Sequence, residues 1–346
     1  MGLLAVSLFG SKKPSVTISV FGKTDVGKTR DHNEDCFLVA NLTTRTASLK
    51  PEIREHTVGD KGSLFMVADG MGGAAAGEVA SQLATDTMYE HLISTWCDDD
   101  ESTPQQFAYR LKEAVERANE QIHEYAKQRP EMRGMGTTTT AVGVLGDHLY
   151  LTQVGDSRAY LVRAGRAVQI TKDQSLMQRL VDAGELTEEE AEKSERRNII
   201  LQALGPEAKV RVDLTSQQLR KGDTVVLCSD GLSGQVQRNE IGAIVSNDDK
   251  DLIEICTELI GLANERGGPD NITVVVARIG GDGLDDGGGK DPVGHQIYPL
   301  LDTESTTEPV PVYKGSPPPE PKGAAHAILV TAAAVIALAA AILLLT

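Results

Sequence analysis

The sequence predicts an α+β fold in which antiparallel sheets are covered by helices. Short apolar and β-branched runs follow one another in series, with turn residues between them. Long segments with helical spacing stand in consecutive blocks and do not alternate strictly with the strands. Strict alternation would favour a parallel sheet, so this order favours antiparallel pairing. Of the 346 residues, 40% are hydrophobic, which is enough to build a core.

Eight runs bounded by Gly and Asp are predicted to be strands. Each is rich in Val, Ile, Thr or aromatic residues, which pack well on a pleated surface. In chain order they are SVTISVF, CFLVAN, SLFMVAD, TTTTAVGVL, HLYLTQV, RAYLVR, TVVLCSD and NITVVVARI.

Three segments are predicted to be helices. In residues 104–128 an apolar side chain recurs every three or four positions, which gives that helix one apolar face. These positions are Phe107, Leu111, Val115, Ala118, Ile122 and Tyr125. Residues 77–96 have a similar spacing, and a further helix is expected at residues 249–264.

The chain is predicted to contain a soluble domain at residues 15–279, after an N-terminal segment at 1–14. Residues 280–323 are rich in Gly, Ser and Pro and have few apolar side chains to bury, so they predict a flexible linker. Residues 324–346 contain the uncharged run AILVTAAAVIALAAAILLL, which is long enough to cross a bilayer. We expect a transmembrane helix here. The alternative is a buried core helix, although globular helices of this length usually keep a polar face.

Charge distribution bears on location and partners. Lys314 and Lys322 flank only the N-terminal side of the apolar run, which favours a single-pass cell-membrane protein with its folded domain in the cytoplasm. The net charge of −16 argues against a nucleic-acid partner, because such a protein needs a basic face. The four cysteines are widely spaced and form no CxxC pair, so reduced thiols are expected rather than a zinc site.

One short motif must be rejected. The stretch GKTDVGKT, residues 22–29, satisfies the phosphate-loop pattern GxxxxGK[ST]. A phosphate loop works because its turn leads into a helix whose N-terminal amides face the phosphates. Here RDHNEDCFLVAN follows, which predicts a turn and then a strand. We therefore expect no nucleotide at this site.

Four aspartates, each a common turn residue when taken alone, lie where predicted strands meet turns: Asp69, Asp156, Asp230 and Asp270. The first three end or follow strands and the fourth precedes one. Antiparallel pairing brings such opposite strand ends side by side. Converging carboxylates repel one another unless cations neutralise them, and oxygen-only ligands favour Mg²⁺ or Mn²⁺ over zinc.

The run RDHNED adds Arg30, Glu34 and Asp35 to this set. The planar guanidinium of Arg30 matches the geometry of a phosphate group. An arginine beside a metal cluster therefore predicts an oxyanion substrate. The alternative for this run is a surface turn with a salt bridge.

Together these motifs resemble the metal-dependent serine/threonine protein phosphatases of the protein phosphatase 2C type (PPM family), in their bacterial form. The resemblance covers residues 15–279 and implies an α-β-β-α sandwich of two packed antiparallel sheets, with a two-metal site at one end. It also accounts for the false phosphate loop, which is the family's first motif. The matching stretches are TDVGKTRDHNED, VADGMGG, GTTTTAVGV, VGDSRAYLVR, ITKDQSL, CSDGLSG and GGPDNITVVV.

The resemblance implies how two Mn²⁺ or Mg²⁺ ions would be held. Asp69 would bridge both ions, and Gly70 would offer its backbone carbonyl to one of them. Asp230 and Asp270 would bind the other. A hydroxide that bridges the ions would then attack the phosphorus of phosphoserine or phosphothreonine in line.

Three further acidic residues are assigned by the same resemblance. Glu34 would join the Gly70 side of the site, and Asp35 would orient metal-bound water. Asp156 corresponds to the residue that holds a third ion in many bacterial members. Some members also carry an Asp where this chain has Gly234, so occupancy of a third site stays open.

On the substrate side, Arg30 would hold the phosphoryl oxygens and Asn271 would be a neighbour of the phosphate pocket. Some relatives carry a His after the Asp-Gly pair as the general acid, but this chain has Met71. The acid is therefore open between a metal-bound water and, less favoured, His32.

Residues 173–205 resemble the family's variable flap, and they are either a substrate gate or a solvated helical hairpin. The partners implied are phosphorylated Ser/Thr proteins and an opposing Ser/Thr kinase. The alternative function is a phosphatase-like adaptor that binds phosphoproteins without turnover. Its expected signature, the loss of a metal carboxylate, is absent from the sequence.

Overall fold

The computed structural model describes residues 15–52, 54–100, 102–194, 196, 198–286 and 292–300. Within these ranges the predicted α+β architecture is confirmed. Two antiparallel sheets pack against each other, and helices cover the outer face of each.

The first sheet has the strand order β10-β9-β12-β13-β1-β4, and each neighbouring pair is antiparallel. Its strands are β1 (Thr17–Asp25), β4 (Arg54–Thr57), β9 (Arg158–Arg163), β10 (Arg166–Gln169), β12 (Thr224–Cys228) and β13 (Ile272–Gly280).

The second sheet has the order β11-β8-β7-β5-β2-β3 and is also antiparallel, with β6 paired to the end of β5. Its strands are β2 (Asp35–Asn41), β3 (Thr46–Ser48), β5 (Ser63–Met71), β6 (Gly136–Thr137), β7 (Thr139–Leu145), β8 (His148–Val154) and β11 (Asp213–Gln218).

The long helices form the outer layers, α1 and α2 on the second sheet and α7 on the first, where α6 also packs. The helices are α1 (Ala74–Thr95), α2 (Pro104–Lys127), α3 (Leu176–Asp182), α4 (Glu188–Glu192), α5 (Asp230–Ser233), α6 (Arg238–Val245) and α7 (Leu252–Glu265), with a 3₁₀ turn at Pro130–Met132. The predicted apolar face of α2 is buried on the sheet, and Thr103 caps its first turn by accepting a hydrogen bond from the backbone N–H of Gln106.

Strand β5 shows why some strands are apolar throughout. Phe65 and Val67 pack into the core between the sheets, while Leu64 and Met66 pack against the helices on the other face. Because successive side chains of a strand point to opposite faces, a central strand needs apolar residues at every position. The same alternation directs Asp69 to the side of Phe65 and Val67, at the end of the gap between the sheets.

The structure departs from the prediction along the sheet edges. The short strands β3, β4, β10 and β11 were not predicted, because they are partly polar and lie beside or at sheet edges, where one face is not fully buried.

Residues 292–300, which the prediction places in a linker at 280–323, contact the folded domain. Ser216 donates its backbone N–H to the Gln296 carbonyl, and Tyr298 packs edge-on against Tyr150 with ring centroids 5.3 Å apart. This part of the chain is Gly-rich, but it contains the few apolar residues that the sheet edge can bind.

In the part of the chain that the structure describes, no helix has the length and apolar character needed to cross a membrane. The predicted transmembrane helix at 324–346 lies outside the described residues, as do the segment 1–14 and residues 302–323 of the predicted linker.

Candidate functional site

The predicted carboxylates meet at one end of the sandwich. Asp35 at the start of β2 lies opposite Asp69 near the end of β5 in the antiparallel register. Asp230 follows β12 and Asp270 precedes β13, its antiparallel neighbour, so these two carboxylates come from adjacent strand ends. Asp35, Asp230 and Asp270 all lie close enough to Asp69 for their charges to raise its pKa.

Burial of these like charges makes the cluster electrostatically unfavourable without a cation. Burial raises the pKa of Asp35 to about 7, and it raises the pKa of Asp69 well above its usual range, where the charge of Asp35 adds to the effect. The pKa of Asp230 is raised by burial and by the neighbouring Asp270. Each shift means that removing a proton costs more here than in water, because the charged carboxylate loses its hydration and lies beside other carboxylates.

Asp156 lies in the turn between β8 and β9, at the margin of the same cluster. Burial raises its pKa to about 8, and the charge of Asp230 adds to the effect. The adjacent Ser157 shares a 2.7 Å hydroxyl contact with Thr138, whose backbone N–H donates to the Asp69 carbonyl at 2.8 Å. These two hydrogen bonds therefore hold the turn that carries Asp156 next to strand β5, which carries Asp69.

Glu34 lies beside Gly70. Gly70 donates its backbone N–H to the Glu34 carbonyl at 3.1 Å. The Glu34 carboxylate lies directly against Gly77 in the first turns of α1, where a Cβ would come within 2.3 Å of its oxygen. Glycine is thus required at 77 for Glu34 to occupy this place. Burial raises the pKa of Glu34.

Arg30 stands at the exposed rim of the cluster. Its Nη2 lies 2.8 Å from Asp270 Oδ2, and about half of its side chain is exposed to solvent. The negative charges of Asp270, Glu34 and Asp69 stabilise the guanidinium, and the hydrogen bond to Asp270 contributes most to its raised pKa. A solvent-accessible cation beside a carboxylate cluster is well placed to receive an anionic group from solvent.

Asn271, predicted as a neighbour of the phosphate pocket, lies just before β13 and beside Asp270, and its amide is used within the protein. Its side chain is buried, its Oδ1 accepts the backbone N–H of Glu34, and both protons of its Nδ2 go to the carbonyls of Val26 and His32. An amide used in this way holds the 26–34 loop against the start of β13 and leaves no donor for a phosphate. Sequence alone could not distinguish the two roles, because both use the same amide group.

The 22–29 stretch folds as predicted, with β1 followed by a turn and then β2. Gly27 adopts a positive φ of 77°, and a Cβ there would lie 2.1 Å from the Asp270 carbonyl. The glycine therefore permits close approach to the loop that carries Asp270.

The predicted flap contains short helices, α3 and α4, and both of its ends are attached beside the cluster. At its start, the Arg158 guanidinium donates hydrogen bonds from Nε and Nη2 to the Asp173 carboxylate, with Nη2 2.7 Å from Oδ2. At its end, Leu204 and Thr137 exchange backbone hydrogen bonds next to Asp69. Whether the flap gates substrate stays a prediction.

Sequence reasoning missed a group of hydroxyls beneath Asp35. Ser229 Oγ donates to Asp35 Oδ2 at 2.8 Å, and the backbone N–H of Thr273 donates to Ser229 Oγ at 2.9 Å. Both residues stand in motifs already singled out, CSDG and PDNIT, and each is next to or near a site aspartate. That adjacency was the available signal, but Ser and Thr in strands are common and do not by themselves indicate a site.

The donor chemistry fits hard divalent cations. The cluster consists of carboxylate oxygens, and buried Asp35 Oδ1 has no hydrogen-bond partner among the described residues. No three His, Cys, Asp or Glu side chains of the described ranges already close around one point as a ligand set. Asp270 Oδ2 instead accepts a hydrogen bond from Arg30 Nη2 at 2.8 Å.

Comparisons with known proteins agree with this geometry. The sequence pattern of the family described as Protein phosphatase 2C matches residues 53–273. The chain is 44% identical over 216 residues to the serine/threonine protein phosphatase PstP of Mycobacterium tuberculosis, a stretch that covers 62% of this chain and 40% of that protein. It is 35% identical over 255 residues to the serine/threonine phosphatase stp of Listeria welshimeri, covering 73% of this chain and 93% of that protein.

Solved structures are similar as well. The crystal structure of the PstP catalytic domain in complex with two manganese ions is 37% identical in sequence and superposes with a TM-score of 0.61. The similarity covers 77% of this chain and 99% of that one.

Proposed function

This chain belongs to the protein phosphatase 2C family, and from that premise we propose that it hydrolyses phosphoserine and phosphothreonine in proteins with the help of Mn²⁺ or Mg²⁺. The observation that carries the proposal is the carboxylate cluster beside Arg30. Buried like charges and an exposed guanidinium in one recess favour cation binding followed by anion binding.

Two metal ions per subunit fit the family, since the PstP catalytic domain was crystallised with two manganese ions. In this chain Asp69, Asp230 and Asp270 would hold the ions, with Gly70 contributing its carbonyl oxygen. When bound, such ions make a water nucleophilic at neutral pH and offset the charge of a phosphoryl group. A third ion at Asp156 is a further proposal, supported by the raised pKa of this carboxyl.

The side chains around the cluster would orient the phosphoryl group and the water molecules. Arg30 would bind phosphoryl oxygens after exchanging its contact with Asp270 for one with the substrate. Glu34 and Asp35 would accept hydrogen bonds from water in the recess. Met71 has no ionisable proton, so the general acid would be a water held by the metal ions or, less favoured, the exposed His32.

We also propose that the enzyme is tethered to the cell membrane by residues 324–346, with the catalytic domain in the cytoplasm. The support is the uncharged apolar run and the lysines on its N-terminal side. An opposing membrane Ser/Thr kinase would be the natural counterpart. Membrane flotation of the full chain, compared with a chain that ends at residue 323, tests the tether. Equal flotation of both would contradict it.

The test of the activity is hydrolysis of a phosphothreonine peptide by the full chain in mild detergent, with Mn²⁺, with Mg²⁺ and with chelator. We expect phosphate release that requires the metal. The matched control is Asp230→Asn, which keeps the shape of the side chain and removes its charge.

If the unaltered protein binds Mn²⁺ and the phosphopeptide but releases no phosphate, the phosphatase assignment fails. The adaptor function would then be favoured. Equal activity of Asp230→Asn and the unaltered protein would contradict the metal assignment.

A further inference from the structure

The loop that carries Arg30 is bound on both sides of that residue by one buried amide. Asn271 is only 4% exposed, and its side-chain oxygen and nitrogen both face this loop. Its Oδ1 accepts the backbone N–H of Glu34 at 2.8 Å. Its Nδ2 donates to the carbonyl of Val26 at 3.0 Å and to that of His32 at 2.9 Å. One side chain therefore joins the backbone before Arg30 to the backbone after it.

The backbone just before Asn271 contacts the middle of the same loop. Lys28 donates its backbone N–H to the Gly268 carbonyl at 2.8 Å. Thr29 Oγ1 donates to the Pro269 carbonyl at 2.6 Å. Thr29 immediately precedes Arg30, so this second contact fixes the backbone directly beside the guanidinium-bearing residue.

The guanidinium itself meets the same turn. Arg30 Nη2 donates to Asp270 Oδ2 at 2.8 Å, while the backbone N–H of Asn271 donates to Asp270 Oδ1 at 2.9 Å. The two oxygens of this carboxylate thus have separate partners. Asn271 therefore contacts both the backbone that carries Arg30 and the carboxylate that its side chain touches.

An amide is the side chain that this place requires. The loop presents two carbonyls and one N–H to the same point, and an asparagine offers two donors and an acceptor. An aspartate of the same shape would have no protons for the carbonyls of Val26 and His32. Without the amide these backbone groups lose their partner in a buried place, which favours movement of the loop.

We propose that Asn271 is a positioning residue for substrate binding, which acts by holding Arg30 at the rim of the carboxylate cluster. Thr29 supports it through the second contact. The inference rests on the proposed function, and Asn271 acts through Arg30 without contacting substrate. A long side chain on a fixed backbone loses less entropy when it binds a phosphate than one on a mobile loop. Release of the loop should therefore weaken phosphopeptide binding more than it slows turnover.

The decisive experiment is a double-mutant cycle between Asn271→Ala and Arg30→Ala. Steady-state kinetics of the full chain in detergent, with a phosphothreonine peptide at saturating Mn²⁺, give KM and kcat for the four proteins. We expect Asn271→Ala to raise KM about 5- to 10-fold when Arg30 is present, with a smaller change in kcat. When Arg30 is already Ala, the same substitution should raise KM less than about twofold.

Asn119→Ala is the matched control. Asn119 is equally buried and also holds a loop through its amide, since its Nδ2 donates to the Glu207 carbonyl and its Oδ1 accepts the Gly205 N–H. That loop does not carry Arg30. Any effect of Asn119→Ala on KM should therefore be the same factor with and without the Arg30 side chain.

Thr29 provides a milder test that keeps the inference falsifiable if Asn271→Ala does not fold. Thr29→Val removes the hydrogen bond to the Pro269 carbonyl at nearly constant shape, whereas Thr29→Ser keeps the hydroxyl. We expect Thr29→Val to raise KM about threefold and Thr29→Ser to raise it less than about 1.5-fold.

Hydrogen exchange tests the loop contacts without turnover. In chelator, the backbone N–H of Glu34 should exchange about 10-fold faster in Asn271→Ala than in the unaltered protein, because it loses its acceptor. Asn119→Ala should leave this exchange rate unchanged.

An equal KM factor for Asn271→Ala in both backgrounds would overturn the inference, because Asn271 would then not act through Arg30. Unchanged exchange of the Glu34 N–H in Asn271→Ala would overturn it as well. If Asn271→Ala does not fold, an unchanged KM in Thr29→Val would do so.

Absence of phosphate release by the unaltered protein would instead contradict the proposed function. The same cycle is then measured on the affinity for the phosphopeptide, by calorimetry with Mn²⁺ bound. A loss of affinity in Asn271→Ala that disappears in the Arg30→Ala background would still support the positioning role. An unaltered protein that binds no phosphopeptide would overturn both proposals.

Discussion

Two buried charge clusters in this protein have opposite designs. Arg163 and Asp223 form a bidentate ion pair, with Nε and Nη2 at 2.8 and 2.7 Å from the two carboxylate oxygens, and both side chains are almost fully buried. The cluster around Asp69 contains several buried carboxylates, and Arg30 stands at its exposed rim. The first cluster is neutral as folded, whereas the second is complete only with added positive charge.

The difference separates a structural site from a functional one. The ion pair ties β9 to the turn before β12, and Asp223 also accepts the backbone N–H of Arg220 within that turn. Its charges are already compensated, so it has no electrostatic reason to bind a ligand. The carboxylate cluster stores unfavourable repulsion, and a cation that enters gains both Coulomb energy and relief of that repulsion.

The largest expected effect comes from removing the central charge of the carboxylate cluster. Asp69→Asn should reduce hydrolysis of a phosphothreonine peptide on the order of 10³-fold or more, because the residue would serve both ions. The measurement is turnover at saturating Mn²⁺. Asp223→Asn serves as the control from the other cluster, since it should leave turnover per folded molecule unchanged. Comparable turnover losses in Asp69→Asn and Asp223→Asn would contradict the division into a functional and a structural cluster.

The ion pair should instead determine stability. Asp223→Ala leaves the Arg163 guanidinium buried without its partner, and we expect a loss of about 3–5 kcal/mol in the free energy of unfolding. Urea denaturation of the full chain in detergent measures it. Mn²⁺ affinity at a temperature where the variant is folded should stay unchanged. A loss below about 1 kcal/mol would show that the pair contributes little to the fold.

The carboxylate cluster should also make the metal-free protein less stable as pH rises. Asp35 and Asp156 have folded-state pKa values of about 7 and about 8, above the unfolded value of about 3.9. The folded chain therefore binds more protons than the unfolded chain between about pH 4 and pH 8. Stability gained from this difference is complete at the acid end and lost toward pH 8.

In chelator, the midpoint of thermal unfolding should thus fall from pH 5.5 to pH 8 through this contribution. With saturating Mn²⁺ the fall should be reduced or reversed, because the ion binds the ionised carboxylates. Asp35→Asn, which cannot titrate, should flatten the profile in chelator. A profile with the same slope in chelator and in Mn²⁺ would contradict the cluster's role in binding cations.

The smallest expected effect on catalysis comes from Arg30, at the exposed rim of the carboxylate cluster. Arg30→Ala should raise KM for a phosphopeptide about 10-fold and change kcat less, because it removes a contact that positions the phosphate. Arg30→Lys keeps the charge but not the planar guanidinium. Its KM should lie between those of the unaltered protein and Arg30→Ala. Steady-state kinetics at saturating Mn²⁺ measure both constants. An unchanged KM with a large fall in kcat would show that Arg30 acts in the transition state and not mainly in binding.

Much of the fold could be predicted because its signals are local. The strand around Phe65 is apolar at every position because it is buried on both faces, and the helix around Leu111 repeats its apolar residues with the helical period. The convergence of Asp69, Asp230 and Asp270 was also predictable, since antiparallel pairing dictates which strand ends meet. The weak edge strands gave no comparable signal.

The sequence by itself determined the layered α+β fold, the motifs of the family and the chemical type of the site. Only the tertiary structure decided what individual polar groups do: Asn271 holds a loop, Ser229 donates a hydrogen bond to Asp35, and the segment around Tyr298 packs on the sheet edge. The physical reason is that secondary structure and burial depend on the hydropathy and backbone preference of residues that are close together in the sequence. The role of a hydroxyl or an amide depends instead on a partner that folding brings from far along the chain.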